Sequence, residues 1–224
     1  MSNYTPNELE EIASQLRKPE GEMGKEVGLM MNDSNSGMIK NSIDSLHLKN
    51  NDRILELGHG NGKHINFILE KGDNINYFGL DISPLMTEEA TKHSKEMGFE
   101  NQTELSTYDG IKMPYPDQSF DKILTVNTLY FWDQPEEMFN EIRRVLKPNS
   151  TATITFVDEE TMKQQAFTEF GFTKYNKEKF ELLCNNNHFD IVELTPITEQ
   201  IKSHLFQDIS RKYWIASVNP IKRS

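Results

Sequence analysis

Short apolar runs alternate along this chain with stretches whose apolar positions repeat every three or four residues. Runs with strand character occupy residues 54–57, 77–80, 103–108, 121–126 and 152–157. Helical patterns begin near Lys63, at Pro84 and at Glu136, between successive runs. The last of these places Met138, Phe139, Ile142, Val145 and Leu146 on one face, and Lys147-Pro148 closes it. Strand and helix in strict alternation predict βαβ units, hence a largely parallel sheet with helices on both faces. Residues 1–49 are helical in pattern without strand runs, which predicts a helical amino-terminal cap in front of a main domain over residues 50–224.

The first strand stops in glycine. In Glu56-Leu57-Gly58-His59-Gly60-Asn61-Gly62 three glycines stand at alternate positions, and a helical pattern follows at once. Missing Cβ atoms let the backbone turn tightly and let a ligand lie against bare peptide. A dinucleotide loop spaces its third glycine one residue later and seats a pyrophosphate on the helix. Here the early third glycine and the carboxylate of Glu56 disfavour a pyrophosphate and suit a ligand with an ammonium group. S-adenosylmethionine (SAM) carries such a group, a sulfonium and no phosphate. His59 reads as a solvent-facing loop residue.

Two further acids stand at strand ends. Asp81 closes Tyr77-Phe78-Gly79-Leu80-Asp81, where a carboxylate can accept both hydroxyls of a ribose. Ser83 then serves as the cap of the helix whose first residue is Pro84, which frees Asp81 from that duty. Asp109 ends the third run and Asn127 the fourth.

In order and spacing these pieces resemble the class I SAM-dependent methyltransferases, most of all the small-molecule C-methyltransferases of the ubiquinone and menaquinone pathway. The resemblance covers residues 50–157 and includes Gly79-Leu80-Asp81-Ile82-Ser83, Asp109-Gly110 with Met113-Pro114-Tyr115, Ser119-Phe120-Asp121 and Arg144-Val145-Leu146-Lys147-Pro148. It implies a doubly wound, mostly parallel seven-stranded α/β sheet of the Rossmann-like kind, with an antiparallel final strand at residues 213–218. It also implies that Glu56 and the backbone of Gly58, Gly60 and Gly62 hold the methionine part of SAM. Asp81 would hold the ribose, Ile82 would lie on the adenine face, and Asp109 with Gly110 would take the adenine amino group. Asn127 would open toward the methyl group, and S-adenosylhomocysteine would be the product.

The acceptor side carries weaker signals. Glycines cost a helix about 1 kcal/mol each relative to alanine, and four of them fall between residues 21 and 37. That segment is either a flexible connector or a backbone that approaches something closely, and we expect a lid lining the acceptor pocket with Met30, Met31 and Asn32. Tyr130, Phe131 and Trp132 could serve cofactor, acceptor or core. An insertion at about residues 158–179 brings Phe167, Phe170, Phe172 and Tyr175 near the carboxyl edge of the sheet. These rings form either an aromatic cap for an apolar acceptor, with Phe170 in the pocket, or a small satellite core.

Composition narrows the field. With 24 basic and 35 acidic residues the formal charge is −11, a poor surface for a polyanion and so against nucleic-acid substrates. No apolar run approaches the length of a membrane span, and residues 1–10 are polar rather than a signal peptide. The single cysteine, Cys184, lies in an apolar helical stretch and reads as a core thiol. The six histidines lack metal-ligand spacing, so no metal is expected. These features fit a cytoplasmic enzyme methylating a small molecule, with no general base to name. Two other classes share the pattern: a nicotinamide-dependent oxidoreductase, disfavoured by Glu56 and the glycine spacing, and a SAM-binding protein that methylates nothing.

Overall fold

The apolar runs come together as strands of one sheet, seen in a computed structural model that describes residues 4–201 and 209–221. The first three residues of the polar amino-terminal stretch, and His204, lie outside the described residues. Five strands run parallel: β1 (Arg53–Leu57), β2 (Asn76–Asp81), β3 (Thr103–Thr107), β4 (Phe120–Val126) and β5 (Leu146–Val157). Two more, β6 (Phe189–Ile201) and β7 (Ile209–Pro220), complete the order β3-β2-β1-β4-β5-β7-β6. β7 is antiparallel to both neighbours, Phe156 facing Trp214 across β5 and Pro196 facing Trp214 across β6. The mostly parallel seven-stranded sheet expected from the resemblance is therefore present.

The pattern had placed five of these strands and the resemblance a sixth, β7; neither marked β6. β6 is an edge strand whose only buried residue is Phe189, and it contains Pro196, so neither an apolar run nor clean alternation marks it. Its neighbour β7 buries Tyr213, Trp214, Ile215, Ala216 and Val218, which is why that strand stands out in the sequence. The helix expected from Lys63 begins only at Ile65 and is a short α3 (Ile65–Leu69).

Apolar clusters cover both faces of the sheet. On one face α5 (Pro135–Val145) and α7 (Lys177–Asn186) press Phe139, Ile142, Phe180 and Cys184 against Leu55, Leu57, Ile123 and Phe156. On the other, α3 and the second half of α2 (Gly21–Ser45) bring Ile65, Ile68, Ile39 and Ile43 onto Ile54, Tyr77 and Leu124. α4 (Pro84–Glu96) packs beside α2 and against β2 and β3. Ahead of these, α1 (Pro6–Arg17) starts at Thr5 with a reciprocal capping box to Glu8.

The glycines of the amino-terminal segment do not interrupt α2, which is one continuous helix of 25 residues. A Cβ on Gly24 would stand 2.7 Å from the Pro19 carbonyl carbon, and one on Gly28 would stand 3.0 Å from the Met86 side chain. The close approach is to the chain's own linker and to α4. Between β5 and α7 the insertion folds as α6 (Glu159–Met162) and a 3-10 turn at Ala166–Glu169.

Candidate cofactor and acceptor cavities

In a parallel sheet the strand order reverses at one point, and ligands bind beyond the carboxyl ends of the strands there. In this sheet the point lies between β1 and β4, flanked by the glycine loop on one side and Asn127 on the other. A cavity of 590 Å³ opens there, within the range of small-ligand sites. Glu56, Gly58, Gly60, Asp81, Ile82, Asp109, Gly110 and Asn127 all line it. Four strand ends thus converge on one volume. Gly62, expected with them, does not line the cavity; a Cβ there would stand 2.8 Å from Ala90, so this glycine seats the loop on α4.

The loop is held by its neighbours. Gly58 has φ +78°, and its N–H donates to the Leu80 carbonyl at 2.7 Å. Thr125 adds a hydroxyl bond to the Leu57 carbonyl at 3.0 Å. Gly60, at φ +56°, donates its N–H to Asp81 Oδ2 at 2.9 Å, and a Cβ there would meet nothing within 4 Å. Its bare face is open. Asp81 accepts a second bond on Oδ1 from the Ser83 N–H at 2.8 Å, while the Ser83 hydroxyl caps α4 by accepting from Met86 N at 3.2 Å. Each Asp81 oxygen keeps a lone pair beyond these bonds.

Glu56 is 2% exposed and is engaged by two side chains that sequence spacing did not reveal. His64 Nε2 lies 2.8 Å from Oε2, and the Tyr77 hydroxyl donates to the same oxygen at 2.7 Å. Burial presses the His64 pKa down, but the charge and hydrogen bond of Glu56 outweigh it and leave it raised. Burial and the same carboxylate hold the Tyr77 phenol well above its ordinary value. Asp109, at the exposed rim, accepts from the backbone of Ile111 at 2.9 Å and Lys112 at 2.8 Å, which lowers its pKa.

His59 is not solvent-facing. It is 2% exposed, with its ring against Gly79, where a Cβ would stand 2.7 Å from the imidazole Cδ2. The space left by a strand glycine takes the ring in, and Nδ1 lies 2.8 Å from the Gly60 carbonyl.

A second cavity, of 170 Å³, adjoins the first and shares Leu16, Met31, Asn35, Asn127 and Phe131 with it. Met30, Met31 and Tyr130 line it, whereas Asn32 and Trp132 line the cofactor-side cavity. Phe170 lines neither and is half-buried; Phe167 and Phe172 do instead. The chain reverses at Gly171, φ +73°, and this carries Phe172 back onto Phe131 and Phe167 at ring separations of 4.6 and 5.6 Å. Leu16, Ser34, Asn35, Ile201, Ile209 and Arg211 also contribute; they lie in segments remote in sequence, and no local motif marks them. Among the described residues no group of three or more His, Cys, Asp or Glu could hold a metal ion.

The donor set fits a cationic, phosphate-free cofactor. Carboxylates from three strand ends and the open backbone of Gly60 face the larger cavity. Residues 55–154 match the family model described as a methyltransferase domain. The chain is 28% identical to the uncharacterized methyltransferase YdaC of Bacillus subtilis over 130 residues, 58% of this chain and 69% of that protein. It is 27% identical to the demethylmenaquinone methyltransferase of Lactobacillus johnsonii over 193 residues, 82% of this chain and 78% of that one. Its fold is similar to that of the geranyl diphosphate C-methyltransferase of Streptomyces coelicolor in complex with Mg²⁺, geranyl diphosphate and S-adenosyl-L-homocysteine. That likeness has a TM-score of 0.71 at 12% identity, over 93% of this chain and 87% of that one.

Proposed function

The chain is a class I SAM-dependent methyltransferase, and from that premise we propose that it methylates a small, largely apolar acceptor bound in the second cavity. The observation that carries this reading is the shared boundary of the two cavities at Asn127, Phe131 and Met31. When bound, SAM supplies a methyl group already activated on a sulfonium. The residues have to hold two partners in line and keep water out, and such alignment can contribute about 7–11 kcal/mol. Glu56 faces the ammonium end, Asp81 takes the ribose hydroxyls, and Asp109 and Gly110 take the adenine edge. The amino-terminal half of α2 acts as the lid, tied to the glycine loop by the Asn61 amide donating to the Gly28 carbonyl at 3.1 Å.

The −11 charge favours a small-molecule acceptor over a nucleic acid. Among the described residues no helix is long and apolar enough to cross a membrane. The one cysteine is a buried free thiol, which suits a reducing cytoplasm. The test is turnover of SAM to S-adenosylhomocysteine with a panel of phenols, quinols, carbon acids, amines and thiols. We expect product with at least one apolar member. Tight SAM binding without product across the panel would leave the non-catalytic reading standing, and preferential binding of NADH would reinstate the oxidoreductase.

A further inference from the structure

Among the described residues the second cavity offers an acceptor few free polar groups. No Asp, Glu, His, Cys or Lys lines it among the described residues, and its one charged residue is Arg211. That guanidinium is 5% exposed and already neutralised: Nε donates to Glu199 at 3.0 Å, Nη1 to Asn35 Oδ1 at 2.6 Å and Nη2 to the Ser34 carbonyl at 2.8 Å. The hydroxyls of Ser34 and Thr168 donate to nearby carbonyls, and that of Thr161 accepts from Lys212 N.

Asn127 differs. It lines both cavities, and it holds the left-handed backbone conformation, φ 61°. Its N–H continues the sheet to the Thr155 carbonyl at 2.9 Å. Its Oδ1 accepts from the Tyr130 hydroxyl at 2.7 Å, and that hydroxyl accepts in turn from the Val157 N–H. With the oxygen end fixed on Tyr130, the amide cannot flip without losing that bond. Nδ2 has no bond to a described residue. Gln165, the other side-chain amide of the second cavity apart from Asn35, does not reach the first.

Resting on the reading that the second cavity holds the methyl acceptor, we propose that the Asn127 side-chain amide donates a hydrogen bond to an oxygen of that acceptor. The acceptor class is then an apolar molecule with a carbonyl, enolate or phenolate oxygen at or beside the atom that is methylated. A cavity whose described lining holds no carboxylate, imidazole, thiol or amine suits a substrate that brings its own electron-rich oxygen, and a preorganised N–H stabilises negative charge on it. Asn127 is thus a positioning residue for the acceptor rather than a ligand of the cofactor.

The probes are 1-indanone and indane, which differ by a carbonyl oxygen, titrated calorimetrically into protein saturated with S-adenosylhomocysteine. The wild type should prefer 1-indanone by about tenfold, the worth of one well-made hydrogen bond. Asn127→Asp tolerates the left-handed backbone but presents an oxygen in place of both donors, and it should erase the preference. Its affinity for S-adenosylhomocysteine should stay within about threefold, a change below 1 kcal/mol. Tyr130→Phe leaves Asn127 in place but unaligned and should lose part of the preference, with circular dichroism reporting the fold of both variants. A preference kept in both variants overturns the proposal, as does binding of neither probe. A parallel loss of S-adenosylhomocysteine affinity assigns the amide to the cofactor instead. Failure of the wild type to bind S-adenosylhomocysteine sinks the functional reading itself.

Discussion

Glu56 carries two demands at once, because it faces the cofactor cavity while His64 and Tyr77 hold its carboxylate. Folding raises the His64 pKa, so its contribution to stability is complete below the ordinary imidazole value of about 6.5 and fades as pH rises through the folded value. His64→Gln keeps a hydrogen-bonding group without the titration. The melting-temperature gap between wild type and variant should therefore narrow between pH 6 and pH 8.5, about the window around that value; a constant gap would show that folding leaves the His64 pKa where it is in the unfolded chain. At Asp81 the expected cost is larger. Asp81→Ala removes charged hydrogen bonds worth about 1.5–3 kcal/mol, so SAM affinity should fall roughly ten- to hundredfold by calorimetry. It also unfastens Gly60 N and Ser83 N, and Asp81→Asn, which keeps the shape, should show which part of the loss belongs to charge. Asp81 was legible from its place at a strand end. His64 was not, since it stands eight positions on from Glu56, across the glycine turn, and only the folded loop closes that gap.

At the scale of elements, α2 does two jobs along its length. Its second half buries Met38, Ile39 and Ile43 as part of the sheet's covering layer, and its first half passes over the cofactor cavity with Gly28, Met31 and Asn32. Gly24→Ala would drive a Cβ to 2.7 Å from the Pro19 backbone, which cannot swing aside as a side chain would. The variant should lose about 1–3 kcal/mol in urea denaturation, the usual cost of overpacking, despite alanine's better helix propensity. If the first half is the lid, SAM should slow amide exchange over residues 21–36 while leaving residues 38–45 unchanged. Equal protection along the whole helix, or none, would remove the lid. The glycines announced a close approach in the sequence, but not what was approached. That required the α1–α2 linker to be pinned by the Ser83 hydroxyl donating to the Pro19 carbonyl at 2.6 Å.

Across the whole molecule, two adjoining cavities open at the carboxyl edge of the sheet, and the larger is lined by the ends of β1–β4 together with α1 and α2. The second cavity takes residues from α1, α2, the turn after β4, the insertion and the facing ends of β6 and β7. Cys184 lines neither cavity; it is a residue of α7, 0% exposed, where burial pushes its thiol up to about 12. Native protein should resist a thiol reagent at pH 8 and react only on unfolding; prompt labelling would mean that α7 opens readily.

The sequence by itself determined the parallel sheet, the glycine turn and the acids at successive strand ends. These features are local: a strand, a glycine pair and a cap each leave a mark within a few residues, and parallel topology then carries the ends to one edge. Only the tertiary structure decided that His59 is buried, that Gly62 faces α4, that Phe172 rather than Phe170 enters the pocket, and that Asn127 stands between two cavities. Each of these depends on which residues, distant in the chain, fill the space beside a side chain. Hydrophobic pattern reports burial of a run, and it is blind to the neighbour that does the burying.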